Sequence, residues 1–88
     1  MNVTVNPEVI WDEVDGVMTL CHTGRVEYFH LNDTGGVIWQ TCTSADSVEG
    51  VAAEVSKIYP EEDPTELRRE VDQFLRALED ASLLTIER

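Results

Sequence analysis

The spacing of hydrophobic residues changes at Asn32 from that of strands to that of helices. Before this residue, the runs VIWDEV, VMTLCH and VEYFHL are rich in β-branched and aromatic side chains, and only the short sequences DG and TGR separate them. Such separators supply the positive-φ positions that tight hairpins require, and the runs themselves have the composition of strands. Residues 9–31 are therefore predicted to form a three-stranded antiparallel meander.

After Asn32 the apolar residues recur with the spacing of an α-helix, and each helical segment has its own start signal. An Asn-Asp-Thr sequence is expected to cap the first helix, an Asp-Ser pair the second, and an Asp-Pro-Thr-Glu sequence the third. The predicted helices cover residues 33–43, 47–59 and 64–82. Three strands followed by three helices favour a single α+β domain spanning residues 1–88.

Composition limits the partners that such a domain can have. The chain has 88 residues and 42% hydrophobic content, which suffices for one modest core. Its 18 acidic residues outnumber 6 lysines and arginines, so that the formal net charge is −12. This charge would repel a phosphate backbone, and no segment concentrates basic residues. Nucleic acid is therefore not expected as a partner.

The N-terminus and the lack of a long apolar run indicate a cytoplasmic protein, and the cysteines indicate neither a zinc site nor a redox pair. The sequence MNVTVNPEVIWDE lacks a basic region and a long apolar run, and no segment reaches the roughly 20 apolar residues that a membrane span requires. Cys21 and Cys42 have no CxxC spacing. Both are predicted to be reduced thiols in the core, because free cysteine is among the most buried residue types.

No group of residues in the sequence indicates catalysis. The acidic run at residues 61–63 precedes a helix, where negative charge is favoured, so a solvated cap explains it. His22 and His30 could approach each other on paired strands, but Cys21 would face the opposite side from His22 and could not join a metal site. The glycine pair at 35–36 lacks the spacing of a phosphate-binding loop. We therefore predict neither an enzyme nor a bound cofactor or metal.

The third strand is the best candidate for a binding element. It comes last in the meander, which predicts an edge strand, and neither lysine nor proline protects it between Val26 and Leu31. Alternation places Tyr28 outward and Phe29 toward the core. An open edge of this kind can accept a peptide as an additional strand. Two alternatives are that the N-terminal segment NVTV covers the edge or that a second copy of the chain does.

Three parts of the sequence together resemble the PqqD-like family, whose members are also called RiPP precursor peptide recognition elements. The parts are FHLNDTGGVIWQ, the SVE sequence that opens the second helix, and EVDQFLRALEDASLL. The resemblance spans nearly the whole chain, and it lies in the order and spacing of these parts. One departure is Ser82, where the family often has a glycine before the final pair of leucines.

The resemblance implies a winged helix-turn-helix fold in which a leader peptide adds to the third strand and lies against the third helix. Carried onto this sequence, the implied peptide-binding residues are Val26, Glu27, Tyr28, Phe29 and His30 on the strand and Leu67, Arg68, Val71, Asp72 and Leu75 on the helix. Tyr28, Val71 and Leu75 are expected to wall an apolar pocket, and Arg68 to meet an acidic leader residue. For Val71 and Leu75 a place in the core is an equal alternative. Three other residues are assigned to the core: Phe74, Leu78 and Trp39.

A stand-alone chain of this size is similar to the recognition proteins of lasso-peptide pathways. The resemblance then implies two further partners, a leader peptidase of the cysteine-protease type and an ATP-dependent lactam synthetase that acts as the cyclase. Within the same family, the alternative is a PqqD-type peptide chaperone for a radical-SAM enzyme. Outside it, the alternatives are a winged-helix DNA-binding regulator, which the charge disfavours, and a homodimeric module that closes its own strand edge.

Overall fold

The computed structural model describes residues 1–87, which form five strands and three helices. In chain order the elements are β1 (Asn2–Val5), β2 (Val9–Val14), β3 (Val17–His22), β4 (Glu27–Leu31), α1 (Asp33–Cys42), α2 (Val48–Ile58), α3 (Pro64–Asp80) and β5 (Leu84–Glu87). The three-stranded antiparallel sheet and the three helices confirm the predicted α+β class. None of the helices within residues 1–87 is long and apolar enough to span a membrane.

The meander forms as the hairpin signals predict. Strands β2, β3 and β4 pair in that order, all antiparallel, and Leu20 in the middle of β3 lies between Trp11 and Phe29. The first turn uses Asp15 and Gly16, whose φ angles are 52° and 81°. These are the two left-handed positions that a tight hairpin with a DG sequence requires. The sheet therefore follows from local turn chemistry and alternation.

Val26 departs from the predicted third strand. It takes a left-handed φ of 54° and its side chain is 71% exposed, in the turn that precedes Glu27. The N–H of Arg25 donates to the carbonyl oxygen of His22 at 3.2 Å, which closes this turn. The prediction placed the positive φ within TGR, because a β-branched residue rarely adopts it. The strand consequently begins one residue later than predicted.

The structure also has a second sheet that the sequence pattern did not predict. Strands β1 and β5 pair antiparallel, with Val3 opposite Ile86, and each of these side chains is only 5% exposed. Each strand has four residues, and most of the chain separates them, so no turn signal marks the pair. The segment NVTV is engaged with β5, so the alternative in which it covers the edge of the third strand is wrong.

Each helix begins at a capping residue that the sequence signals. The side-chain oxygen of Asn32 accepts a hydrogen bond from the N–H of Gly35 at 2.7 Å, and that of Ser47 accepts one from Gly50 at 2.9 Å. Asp63 caps α3 in the same way at 2.9 Å. These bonds satisfy backbone donors that have no partner within the first turn. The structure thus selects Asn32 and Ser47 from the possible caps.

Helix α3 ends at Asp80, before the predicted end at residue 82, because the chain reverses at Ser82. Ser82 has a φ of 63°, and the N–H of Leu83 donates to the carbonyl oxygen of Leu78 at 2.9 Å. This is a Schellman-type C-terminus, in which the left-handed position is usually a glycine. This left-handed geometry explains why the PqqD-like family often has a glycine at this position. The reversal at Ser82 also directs the chain into β5, which begins at Leu84.

The core lies between the helices and the inner face of the meander. Leu20 of β3 and Trp39 of α1 both have 0% exposure. The ring of Trp39 also meets that of Trp11 edge to face, with centroids 5.5 Å apart. Trp39 and Leu78 are confirmed as core residues, whereas Phe74 is half-buried and packs against the margin of the core.

Candidate functional site

The open side of β4 is the most accessible backbone in the meander. Among the described residues β4 pairs with β3 alone, and no other backbone hydrogen bond joins Glu27 through Leu31 to a further segment. The strand sequence EYFHL contains no lysine or proline that would discourage pairing. This edge therefore offers N–H and C=O groups to an extended peptide.

The two faces of β4 carry different side chains. Phe29 lies opposite Leu20 on the face that packs against the helices, and it is half-buried. Tyr28 lies opposite Cys21 on the other face and is 66% exposed, and His30 is exposed on the same face. Side chains that are paired across strands share a face. The predicted outward direction of Tyr28 and inward direction of Phe29 are confirmed.

Contacts at both ends place β4 beside the C-terminal half of α3. At the start of the strand, Nη2 of Arg25 donates to Oγ of Ser82 at 3.0 Å. Beyond its end, a Cβ atom on Gly35 would lie 2.8 Å from Cζ of Phe74, so α1 begins tightly against α3. A larger residue would displace that ring, which supports packing as the role of this glycine. The strand and this half of the helix therefore border the same strip of surface.

The apolar helix residues that the resemblance assigns to peptide binding lie in the core. Leu67 is 3% exposed, and Val71 and Leu75 are 0% exposed. They form the inward stripe of α3, which packs on the rest of the core. Tyr28 is on the far face of the meander from this stripe. The structure therefore does not bring Tyr28 together with Val71 and Leu75 around one open pocket.

The charged helix residues assigned to the site are already paired. Nη2 of Arg68 lies 3.8 Å from Oε1 of Glu49 on α2, and Oδ2 of Asp72 accepts from Nε of Arg76 at 2.9 Å. The pKa of Glu49 is lowered, first by a hydrogen bond to its own backbone and then by the nearby N-terminal ammonium and Arg68. Arg68 thus faces α2, on the flank of α3 that includes Asp72.

The flank of α3 toward β4 carries residues that sequence reasoning did not choose. Phe74 contacts the start of α1, and Ala77 and Ala81 lie three and seven positions further on, so they share its side of the helix. Ala77 is exposed, and Phe74 and Ala81 are half-buried. The sequence contains this pattern as an apolar row beside the main stripe. A prediction that assigns Phe74 wholly to the core hides it, because the same spacing then fits the core alone.

The cysteines differ in their surroundings. Cys42 is buried, and desolvation raises the pKa of its thiol to about 12, so the prediction of a core thiol is confirmed for this residue. Cys21 is half-buried on the outer side of the meander next to Tyr28, so its predicted place in the core is wrong. Within residues 1–87, no three His, Cys, Asp or Glu side chains come together in a group that could hold a metal ion.

Comparisons with known proteins agree on one family. The family model for coenzyme PQQ synthesis protein D (PqqD) matches residues 17–84. The solved structure of TbiB1 in complex with the TbiA(beta) leader peptide is 25% identical, with a TM-score of 0.86 over 97% of this chain and 98% of that one. Lasso peptide synthetase B1 complexed with the leader peptide is also 25% identical, with a TM-score of 0.82 over 97% and 99%. No curated protein sequence matches this chain.

Proposed function

Because the chain belongs to the PqqD family, we propose that it binds the leader segment of a ribosomally synthesised precursor peptide by strand addition to β4. It is a non-catalytic protein of this family. The observation that carries the proposal is the unpaired edge from Glu27 to Leu31, which lies beside α3. Both similar structures are of proteins in complex with leader peptides, which supports the same ligand class here.

In the proposed complex, the leader forms main-chain hydrogen bonds with β4, and its side chains alternate between the two faces of the enlarged sheet. Inward-pointing leader side chains would pack against Phe29, Phe74 and Ala77. Outward-pointing ones would lie beside Tyr28 and His30. The bonds would supply affinity, whereas the apolar strip between the strand and α3 would supply selectivity.

The remaining assigned residues take different roles in this proposal. Val26 and Glu27 mark the end of the strip next to Arg25, where β4 begins. Leu67, Val71 and Leu75 support the site from the core by holding α3 in position. Two charged residues would contact only a leader long enough to cross α3 toward α2: Arg68 and Asp72. The fold that we propose around this site is a winged helix-turn-helix.

We further propose that the bound leader is presented to processing enzymes in the cytoplasm. The similarity to lasso peptide synthetase B1 favours a leader peptidase of the cysteine-protease type and a lactam synthetase as those enzymes. The family match to PqqD favours a second candidate, a peptide chaperone for a radical-SAM enzyme. The enzyme genes beside this one separate the two candidates, since each pathway requires its own enzyme. A role as a DNA-binding regulator is disfavoured by the net charge of −12.

A titration with a fluorescently labelled leader peptide tests the central proposal. The peptide is the leader of the precursor encoded beside this gene, and fluorescence polarisation measures its binding. We expect saturable binding at micromolar or tighter affinity, and none for a peptide of the same composition in scrambled order. Absence of saturable binding by the native leader would contradict the proposal.

A further inference from the structure

The outer sheet face, as we call the side of the meander that points away from the helices, is unusually apolar. Its apolar residues, which the pairing register places on one side of β2, β3 and β4, are Ile10, Val14, Val17, Cys21 and Tyr28. Ile10 is 60% exposed, Val14 52% and Tyr28 66%. Four of these residues, with Trp11 and two polar neighbours, line a shallow depression of about 190 Å³. Residues that would usually be polar on a solvated sheet face are here hydrophobic.

No element within the described part of the chain covers the outer sheet face. The helices lie on the inner face, where Leu20 is fully buried. Strands β1 and β5 form their own sheet and do not pair with the meander. A contiguous group of exposed apolar side chains is typical of a surface that binds another protein.

The charge around the outer sheet face indicates what kind of partner fits it. Asp12 lies on this face between Ile10 and Val14, and Asp15 follows in the adjacent hairpin turn. Arg25 is the sole lysine or arginine among residues 2–31, and its guanidinium contacts Glu27 and Ser82. A complementary surface therefore has apolar side chains surrounded by lysines and arginines.

The same charge argues against a second copy as the occupant. A contact between two copies through their outer sheet faces would bring two acidic surfaces together. Each surface carries Asp12, and each chain has a net charge of −12. Like charges at an interface are unfavourable, and chains that carry a large net charge of one sign repel each other. The partner is therefore expected to be a different protein.

We propose that the outer sheet face docks the leader peptidase through an apolar contact surface ringed by lysines and arginines, and this choice of partner rests on the proposed function. The leader would lie along β4 at one edge of the sheet, whereas Ile10 and Val14 belong to β2 at the opposite edge. One domain can thus hold the leader and the enzyme at the same time. Such an arrangement raises the concentration of the leader near the enzyme without any chemistry by the domain.

The test uses the full chain, saturating leader peptide and the purified leader peptidase encoded beside this gene, with binding measured by biolayer interferometry. The main variant is Ile10→Ser with Val14→Ser, and its matched control is Ile58→Ser, which changes an isoleucine that is 53% exposed on α2. A charge variant, Asp12→Lys, is compared with Glu61→Lys in an exposed loop. Far-UV circular dichroism shows whether each variant is folded. If the double variant is not folded, the comparison of Asp12→Lys with Glu61→Lys still tests the inference.

We expect the double variant to bind the peptidase about tenfold more weakly and Asp12→Lys several-fold more weakly, with both controls unchanged. Leader binding should be unaffected in all four proteins. Unchanged peptidase binding in the outer-face variants would overturn the inference. So would a dimer of the unmodified chain that the double variant dissociates, because a second copy would then cover the face.

Two further outcomes separate this inference from the proposed function. If the unmodified chain binds the leader but not the peptidase, docking at the outer sheet face is overturned and leader binding stands. If it binds neither, both are overturned.

Discussion

The edges of β1 and β4 differ in how the chain satisfies their backbone groups. Strand β1 has β5 on one side, and on the other its Val3 N–H donates to the carbonyl oxygen of Asp46 at 2.9 Å, while Asn2 forms a bridge to Ser47. Strand β4 has a partner on one side only within the described residues. The N-terminal strand is thus closed by its own chain, whereas β4 keeps an open side.

The side chains show the same division. In β1, Val3 is buried, and the strand joins the two ends of the described chain into one unit with the core. In β4, Tyr28 and His30 are exposed, and Phe29 and Leu31 are only half-buried. We infer that β1 serves stability and β4 serves binding. Changes to the two strands should therefore have different effects, on stability in β1 and on leader binding in β4.

Val3→Asp should unfold the closed edge. A carboxylate at a position that is 5% exposed has no partner in the core, so we expect the free energy of unfolding to fall by about 3 kcal/mol or more. Thr4→Asp, on the exposed side of the same strand, is the control and should change it by less than about 1 kcal/mol. Urea denaturation measures both. Equal stabilities for the two variants would show that β1 is not part of the core.

A leader peptide with backbone N-methyl groups should bind more weakly to the open edge of β4. Methylation at two alternate residues that face β4 removes two hydrogen bonds, each worth about 1 kcal/mol, so we expect binding to weaken by about 2 kcal/mol. Methylation at the two intervening residues is the matched control, because their N–H groups point away from β4. Fluorescence polarisation measures both peptides. Equal affinity would argue against strand addition.

Ala77→Glu should weaken leader binding while the fold persists. Ala77 is exposed on the flank of α3 toward β4, where a carboxylate would sit in the apolar strip. We expect affinity to fall about tenfold, which corresponds to about 1.4 kcal/mol. Ala53→Glu, at an exposed position of α2, is the matched control and should leave binding unchanged. Equal affinities would mean that the leader does not reach this flank.

The smallest expected effect lies at Ser82, where α3 ends between the two sheets. Its φ of 63° favours glycine, so Ser82→Gly should be more stable than Ser82→Ala by about 1 kcal/mol, since both lose the bond from Arg25. Thermal unfolding measures the difference. An alanine variant as stable as the glycine variant would contradict the importance of the left-handed position.

Much of the fold could be predicted because its signals are local. The DG turn, the capping side chains and the apolar spacing of α3 each act within a few residues, and each predicted its element. The open edge of β4 followed from its place at the end of the meander. Alternation also predicted that Tyr28 would point outward, because neighbouring side chains of a strand must face opposite sides.

The rest of the site depended on long-range packing. The helical period placed Val71 and Leu75 on one side of α3, yet it could not say whether that side faced the core or a groove. The direction of Arg68 toward Glu49 likewise depends on where α2 lies. Alternation on its own could not show that the outer sheet face would remain uncovered.

Interactions among near neighbours set the order of strands and helices, the caps and the unprotected edge strand, so these features can be predicted from the sequence. Long-range packing sets three others: the pairing of β1 with β5, the side of α3 that borders β4 and the half-burial of Phe74. Those outcomes depend on contacts between segments far apart in the chain. Local hydrophobic spacing and turn residues cannot predict such contacts, because they depend on the packing of the whole core.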